Sequence, residues 1–341
     1  MLRILQCIIW LLLTLSFESD AFSLAPSNPI VIKFSHVVDP DTPKGQMAHT
    51  FQQLVAQRLA GKVIVRVYPN SQLFTDDAVL PAIQRGEVEM AAPSLSKFKP
   101  YTDKLQLFDL PFLFDSAEAV EHFQNSQPGK QLLHSFQDSH LIGLGYLHNG
   151  MKQLSANTPI LEPQDMRGKT FRIMNSDVLQ AQFSAVDAQV LRKPFSQVFT
   201  LLQTRQVDGQ ENTWSNIYSQ QLHEVQNYIT ETNHGVLDYV VVSSTDFWNS
   251  LPKPIRLTLE GALQEAIQQG NRIAREKAQQ DKDNITQAGK AELLTLSEHQ
   301  RRQWRTRMQP VWQQFEPQIG RHLIDAAQKA NADTRRRHQN Q

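Results

Sequence analysis

From residue 29 to Pro254 the chain alternates between two periodicities. Short stretches carry an apolar residue at every second position, and longer ones carry apolar residues three and four apart. Period two puts alternate side chains on opposite faces of a strand, whereas a 3.6-residue period lines one face of a helix. Ile30, Ile32 and Phe34 predict a strand, and Met47, Phe51, Leu54, Val55 and Leu59 predict a helix that Gly61 ends. Val63, Val65 and Val67 predict the next strand. Val79, Leu80 and Ile83 predict a helix stopped by Gly86, and residues 88–92 a short strand. Asp115 and Ser116 cap a helix carrying Val120 and Phe123. Residues 141–147 and 169–174 read as strands, the second entered through Gly168. Ser196 reads as the cap of a helix with Val198, Phe199, Leu201 and Leu202, and residues 225–230 and 237–242 read as two more strands. Beyond Pro254 the pattern is helical. One stripe holds Ile255, Leu259, Leu263 and Ile267. A second runs from Trp304 through Met308, Val311, Trp312, Phe315 and Ile319 to Leu323, opened by a Ser297-x-x-Gln300 capping box.

This alternation implies an α/β fold with parallel sheets covered by helices on both faces. The length implies two domains. No low-complexity linker divides them, so the chain crosses between them more than once and leaves a hinge with a cleft. Ligands in open α/β sheets sit beyond the carboxyl ends of the strands. The segments to inspect are therefore 36–45, 93–97, 148–152, 172–176 and 208–216.

The first residues have a different character. Met1-Leu2-Arg3 is a basic start, residues 4–17 are almost unbroken apolar, and Ser19-Asp20-Ala21 supplies small residues for cleavage. This is the secretory signal pattern, placed at residues 1–22; the apolar run falls short of the roughly 20 residues that span a bilayer. Cys7 is the only cysteine, so removal of the signal leaves no disulfide, thiolate nucleophile or Cys-ligated metal. Lys+Arg and Asp+Glu both total 34, which argues against nucleic acid or an anionic membrane as the main partner. The one basic run, Arg335-Arg336-Arg337, reads as a frayed tail over residues 329–341.

Arg172 stands out within the strand at 169–174. Phe171 and Ile173 flank it as core residues, so Arg172 points to the other face near the strand end. It reads either as a bidentate carboxylate clamp or as one half of a structural ion pair. Lys152 reads as a second cation or as a solvated lysine. Asn212 and Asn216 read as neutral donors or as helix caps. Phe195 and Trp214 read as walls for an apolar ligand middle or as core packing. Ser94, beside Ser96 and Lys97, suits an anion, and His36 leaves the first strand as a possible donor or as a satisfied polar group. The chain has no G-x-S-x-G, H-E-x-x-H, P-loop or G-x-G-x-x-G motif, and no histidines at metal-ligand spacing. A secreted enzyme acting on small acids would need such a feature.

Six stretches together are specific: Phe34-Ser35-His36-Val37-Val38, Tyr68-Pro69-Asn70-Ser71-Gln72-Leu73, Ala92-Pro93-Ser94-Leu95-Ser96-Lys97-Phe98, His148-Asn149-Gly150-Met151-Lys152-Gln153, Gly168-Lys169-Thr170-Phe171-Arg172-Ile173 and Asp208-Gly209-Gln210-Glu211-Asn212. On them the chain, from about residue 30 to 323, resembles the solute-binding component of tripartite ATP-independent periplasmic (TRAP) transporters, in its C4-dicarboxylate branch. The resemblance implies a two-lobed periplasmic-binding-protein architecture with crossing strands and a long C-terminal helix across both lobes. It puts one lobe at 29–149 plus 237–277 and the other at 150–236 plus 278–328. It implies Arg172 as carboxylate clamp, Asn212 as ligand asparagine, Phe195 as pocket lining, and Asn175 and Ser176 as further polar contacts. Lys152 and Ser94 depart from the sialic-acid branch and favour a smaller acid. A periplasmic monomer that delivers succinate, fumarate or malate to membrane permease subunits, without cofactor or metal, is the expectation. A keto or sugar acid as ligand, or presentation of the ligand to a sensory receptor, are the alternatives.

Overall fold

The computed structural model describes residues 28–339; the signal expected at residues 1–22 lies outside them. Nine strands form one sheet among these residues: β1 (Ile30–Ser35), β2 (Val63–Tyr68), β3 (Met90–Ala91), β4 (Leu141–Ala156), β5 (Thr170–Ile173), β6 (Gln189–Arg192), β7 (Gly209–Asn212), β8 (Tyr228–Ser244) and β9 (Glu292–Thr295). Their order is β2-β1-β3-β8-β4-β7-β5-β6, with β9 also on β8.

The strands β4 and β8 hold the design together. They run antiparallel from Leu141 opposite Ser244 to Ala156 opposite Tyr228. β3 pairs with the far end of β8, at Val242 and Ser243, whereas β9 pairs with its start and β7 with the end of β4. Each long strand therefore belongs to two half-sheets, one built on β2-β1-β3 and one on β7-β5-β6. Within each half the short strands are parallel, as the alternation implies, but the crossing strands make the whole sheet mixed.

Both crossing strands are longer than their apolar patterns. The segment His148-Asn149-Gly150, expected as a tight turn after a strand, is a register shift inside β4, with Gly150 at φ +133°. Buried Asp238 on β8 satisfies this polar segment: its carboxylate accepts from Asn149 N at 3.0 Å and pairs with His148 Nδ1 at 2.7 Å. The two strands expected at 225–230 and 237–242 are one, because Thr232 and His234 between them are buried and bonded. β6 and β9 carry two adjacent apolar residues each and β7 carries none, so no alternation marks them.

Helices cover the sheet. Thr42 caps the helix Pro43–Arg58, accepting from Gly45 N at 3.2 Å, and Met47, Phe51 and Val55 are wholly buried under it. Ser116 caps Ala117–Asn125 as expected. Ser196 caps nothing; it lies in a 3-10 turn, Phe195–Gln197, that leads directly into the helix Val198–Gln203. The helix Lys253–Ala288 is 36 residues long, which at 1.5 Å per residue is about 54 Å. Its first part packs on the helix Pro43–Arg58, where a Cβ at Gly270 would stand 2.8 Å from Met47 Cβ. Near its end, Ile285 joins the core of Trp214 and Ile217, so the helix spans both half-sheets. The Ser297–Gln300 box opens Glu298–Ile319 as predicted.

The chain end departs from expectation. Residues 329–339 are not a frayed tail but the end of a helix, Arg321–Gln339, docked on Ala117–Asn125. Asn331 is the anchor: its Oδ1 accepts from Asp115 N at 3.0 Å, and its Nδ2 donates to Leu113 O at 2.7 Å. Losing a buried side chain that satisfies two main-chain groups costs about 1–3 kcal/mol. Asn331→Ala should therefore lower the urea midpoint without changing the m-value; an unchanged midpoint would show the helix is held by its apolar face alone.

Candidate ligand-binding site

A crevice of ≈ 480 Å³, counted out to the solvent at its mouth, lies between the two half-sheets. It sits beyond the carboxyl ends of the short strands, where an open α/β sheet leaves room. Val37 and Val38 after β1, Ser94 and Lys97 after β3, and Asp76 and Asp77 wall one side. Arg172 and Met174 at β5, Phe195 after β6, and Glu211, Asn212 and Asn216 at and after β7 wall the other. Lys152, Leu237 and Tyr239 of the crossing strands form its back.

Arg172 is placed by strand geometry. Its neighbours Phe171 and Ile173 are fully buried in the core, so the pleat turns its side chain the other way, into the crevice. Its Nε and Nη2 donate to the Lys193 carbonyl at 2.9 and 2.7 Å, which fixes the plane of the guanidinium. Two of its five N–H donors are thereby used, and three remain. Among the described residues it makes no salt bridge. Burial pulls its pKa down to about 10, against the pull of Glu211, Asp77 and Asp76, so it is charged at neutral pH.

The other cations at the crevice are already paired. Lys152 Nζ lies 2.8 Å from Glu211 Oε1, with both side chains 1% exposed, and Lys97 Nζ lies 2.8 Å from Asp77 Oδ1. Lys152 is thus neither solvated nor waiting for a ligand carboxylate as its only partner. Gly235 makes space for it, since a Cβ there would meet Lys152 Cε at 2.7 Å. Glu211 takes a second partner, His234 Nε2, at 2.8 Å, and His234 Nδ1 lies 2.7 Å from the Thr232 hydroxyl. Burial pushes the Glu211 pKa upward, but Lys152 and His234 outweigh it and hold the carboxyl at about 2. Burial lowers His234, so it is a neutral ring donating Nε2–H to Glu211.

Asn212 Oδ1 accepts from Asn216 Nδ2 at 2.8 Å and from Thr213 N at 3.2 Å, leaving its own amide N–H groups as donors. Thr213, not either asparagine, caps the helix Trp214–Ser219. The Ser94 hydroxyl lies 3.4 Å from Met174 Sδ across the crevice. Lys44, behind the wall, donates to Ala92 O at 2.9 Å with its ammonium 3.6 Å above the Tyr239 ring.

The structure therefore brings Arg172, Lys152, Asn212, Ser94, Phe195 and Asn216 together and leaves four expected residues outside. Buried His36 is not among the crevice-lining residues, whereas Val37 and Val38 are, and burial lowers its pKa to about 3, so it is neutral. Asn175 is exposed and accepts from Arg192. Ser176 caps the helix Asp177–Ala185 and donates to Asp109. Trp214 packs with Val198, Leu201 and Ile217. Sequence reasoning missed Glu211, Asp76, Asp77, Lys97 and Tyr239 as crevice groups. Glu211 was reachable, because it directly precedes Asn212; Asp76 and Asp77 read as dipole-favoured residues at a helix start, where they also stand.

Two half-sheets joined by crossing strands, with a charged crevice buried between them, define a two-lobed ligand-capturing protein. Residues 34–318 match the family described as bacterial extracellular solute-binding protein, family 7, and the chain belongs to this DctP family of TRAP solute-binding proteins. It is 57% identical over 303 residues to the C4-dicarboxylate-binding periplasmic protein DctP of Shewanella loihica, covering 89% of this chain and 90% of that one. Its fold matches a crystal structure of a TRAP periplasmic solute binding protein from Shewanella oneidensis with bound succinate, with a TM-score of 0.88, 56% identity, and coverage of 89% of this chain and 99% of the other. It also matches one from Pseudomonas aeruginosa with bound L-malate, at 0.82 and 45%, covering 84% and 100%.

The Glu211 pair has a pH signature. A carboxyl held below its free value contributes stability that is complete above the unfolded pKa and is lost as pH falls through the folded one. For Glu211 that window runs from 4.5 down to about 2. Glu211→Gln leaves Lys152 buried without a charge partner, which costs about 3–5 kcal/mol at neutral pH. The melting temperature of the variant should be lower at pH 7 and fall less steeply than wild type between pH 4.5 and 2. Parallel curves would remove Glu211 as the source of acid sensitivity.

Proposed function

We propose that this protein captures a C4-dicarboxylate such as succinate, fumarate or malate in the periplasm and delivers it to the membrane subunits of a TRAP permease. One observation carries this reading. Arg172 is buried and oriented by a main-chain carbonyl, and it makes no salt bridge among the described residues, with Glu211, Asp77 and Asp76 acting on it only at longer range. A buried cation without a directly paired anion is costly, and a ligand carboxylate supplies that partner through a bidentate pair. The bound succinate and L-malate of the two matched structures support this chemistry.

The Asn212 amide would share the first carboxylate. The second would meet Ser94 and the unused hydrogens of Lys152, whose ammonium carries three donors and gives one to Glu211. This arrangement sets how strongly monocarboxylates are rejected. Lys152 keeps Glu211 when no second carboxylate arrives, so the cost is lost hydrogen bonds to a charged group, about 1.5–3 kcal/mol, and not an orphaned charge. Butyrate should bind about one to two decades more weakly than succinate. A gap of four decades in calorimetry would mean that Lys152 gives up Glu211 for the ligand.

Arg172→Ala should reduce succinate affinity by about one and a half to three and a half decades, since truncating one side of a buried charge pair costs about 2–5 kcal/mol. Titration calorimetry with succinate, fumarate and L-malate tests the reading directly. Wild-type affinity in Arg172→Ala would end it.

A further inference from the structure

Arg172, Lys152 and Asn212 are 2%, 1% and 2% exposed. No ligand reaches them unless the wall after β3 parts from the wall after β5, and retention depends on what holds those walls together afterwards. Besides the Ser94–Met174 contact, one buried carboxyl hydrogen-bonds to both. Asp109, 2% exposed at the end of the 3-10 segment Lys104–Asp109, accepts from the Ser96 hydroxyl at Oδ1 and from the Ser176 hydroxyl at Oδ2, each at 2.7 Å. Ser96 lies between the crevice residues Ser94 and Lys97, and Ser176 follows the crevice residue Met174 by two positions. The Asp109 carbonyl also accepts from Gln182 Nε2 in the helix that Ser176 caps. Ser96 and Ser176 are each 3% exposed, so water does not compete for these bonds in the closed form.

We propose that Asp109 is a positioning residue that latches the closed cleft, one carboxylate oxygen on each wall, without touching the ligand. The proposal rests on the ligand-capture reading above. Parting the walls breaks at least one hydroxyl–carboxylate bond, and closure remakes it. Burial raises the Asp109 pKa against the pull of Lys152 and the two serine hydroxyls, and hydroxyl bonds to the ionised carboxyl are short and roughly twice as strong as neutral ones. Association starts from the open form, in which the latch is already undone. Loss of the latch therefore appears in the dissociation rate and leaves the association rate nearly unchanged.

Stopped-flow tryptophan fluorescence with succinate separates the two rates. Ser96→Ala should raise the dissociation rate about tenfold or more, since hydrogen bonds to charged groups are the strong ones, with association within about twofold. Ser96→Thr, which keeps the hydroxyl, should restore slow release. Ser176→Ala should act in the same direction, and the double variant should release no faster than the worse single one, because one broken side already frees the bar. An unchanged dissociation rate in Ser96→Ala, or fully additive effects, overturns the latch while leaving ligand capture intact. Failure of the wild-type protein to bind succinate, fumarate or L-malate instead overturns the function, and the latch with it.

Discussion

The antiparallel pairing of β4 with β8 is the constraint from which the rest follows. Each strand is long enough to serve two half-sheets, so two lobes are joined by continuous hydrogen-bonded backbone and need no linker. The same pairing delivers chemistry to the crevice. Lys152 comes from β4, His234 and Tyr239 come from β8, and Glu211 comes from β7, which is registered on β4. Placing polar and charged groups on buried central strands is expensive unless each has a partner. Here the partners are arranged across the strands: Asp238 for His148 and Asn149, and Glu211 for both Lys152 and His234.

Against this background Arg172 is the exception that defines the site. The lining holds three cations and three acids, and both lysines lie 2.8 Å from a carboxylate. Arg172 has instead a neutral carbonyl that aims it without discharging it. The charge balance of the crevice is therefore even, yet its distribution is not. The anion is drawn to a particular point, and the paired lysines tune the far end of the pocket without dominating it.

Much of this was legible in the residues. The period-two runs of β1, β2 and β5 locate three strands, and the position of Arg172 between two core residues sets its direction. The Ser297–Gln300 box was readable because its signal is local. What escaped were features decided by distant partners. Lys152 and Glu211 are 59 residues apart, so nothing near either one shows that they pair. Polar His148 and Thr232 broke the apolar pattern and made two long strands look like shorter pieces. The last helix read as a tail because its buried stripe beyond Ile324 is made of small alanines, Ala327 and Ala330, and its anchor Asn331 is polar.

That last helix has a consequence for how the molecule is made. Ile324, Ala327 and Ala330 complete a core whose other members include Phe108, Phe114 and Phe123, and β3 gains its second neighbour only when Val242 and Ser243 arrive. The N-terminal half is thus closed by a strand and a helix that follow it by many residues in the chain. Domains ordinarily fold as they are synthesised, N-terminal first; here the first half-sheet cannot complete its core until a strand and a helix from much further along the chain join it.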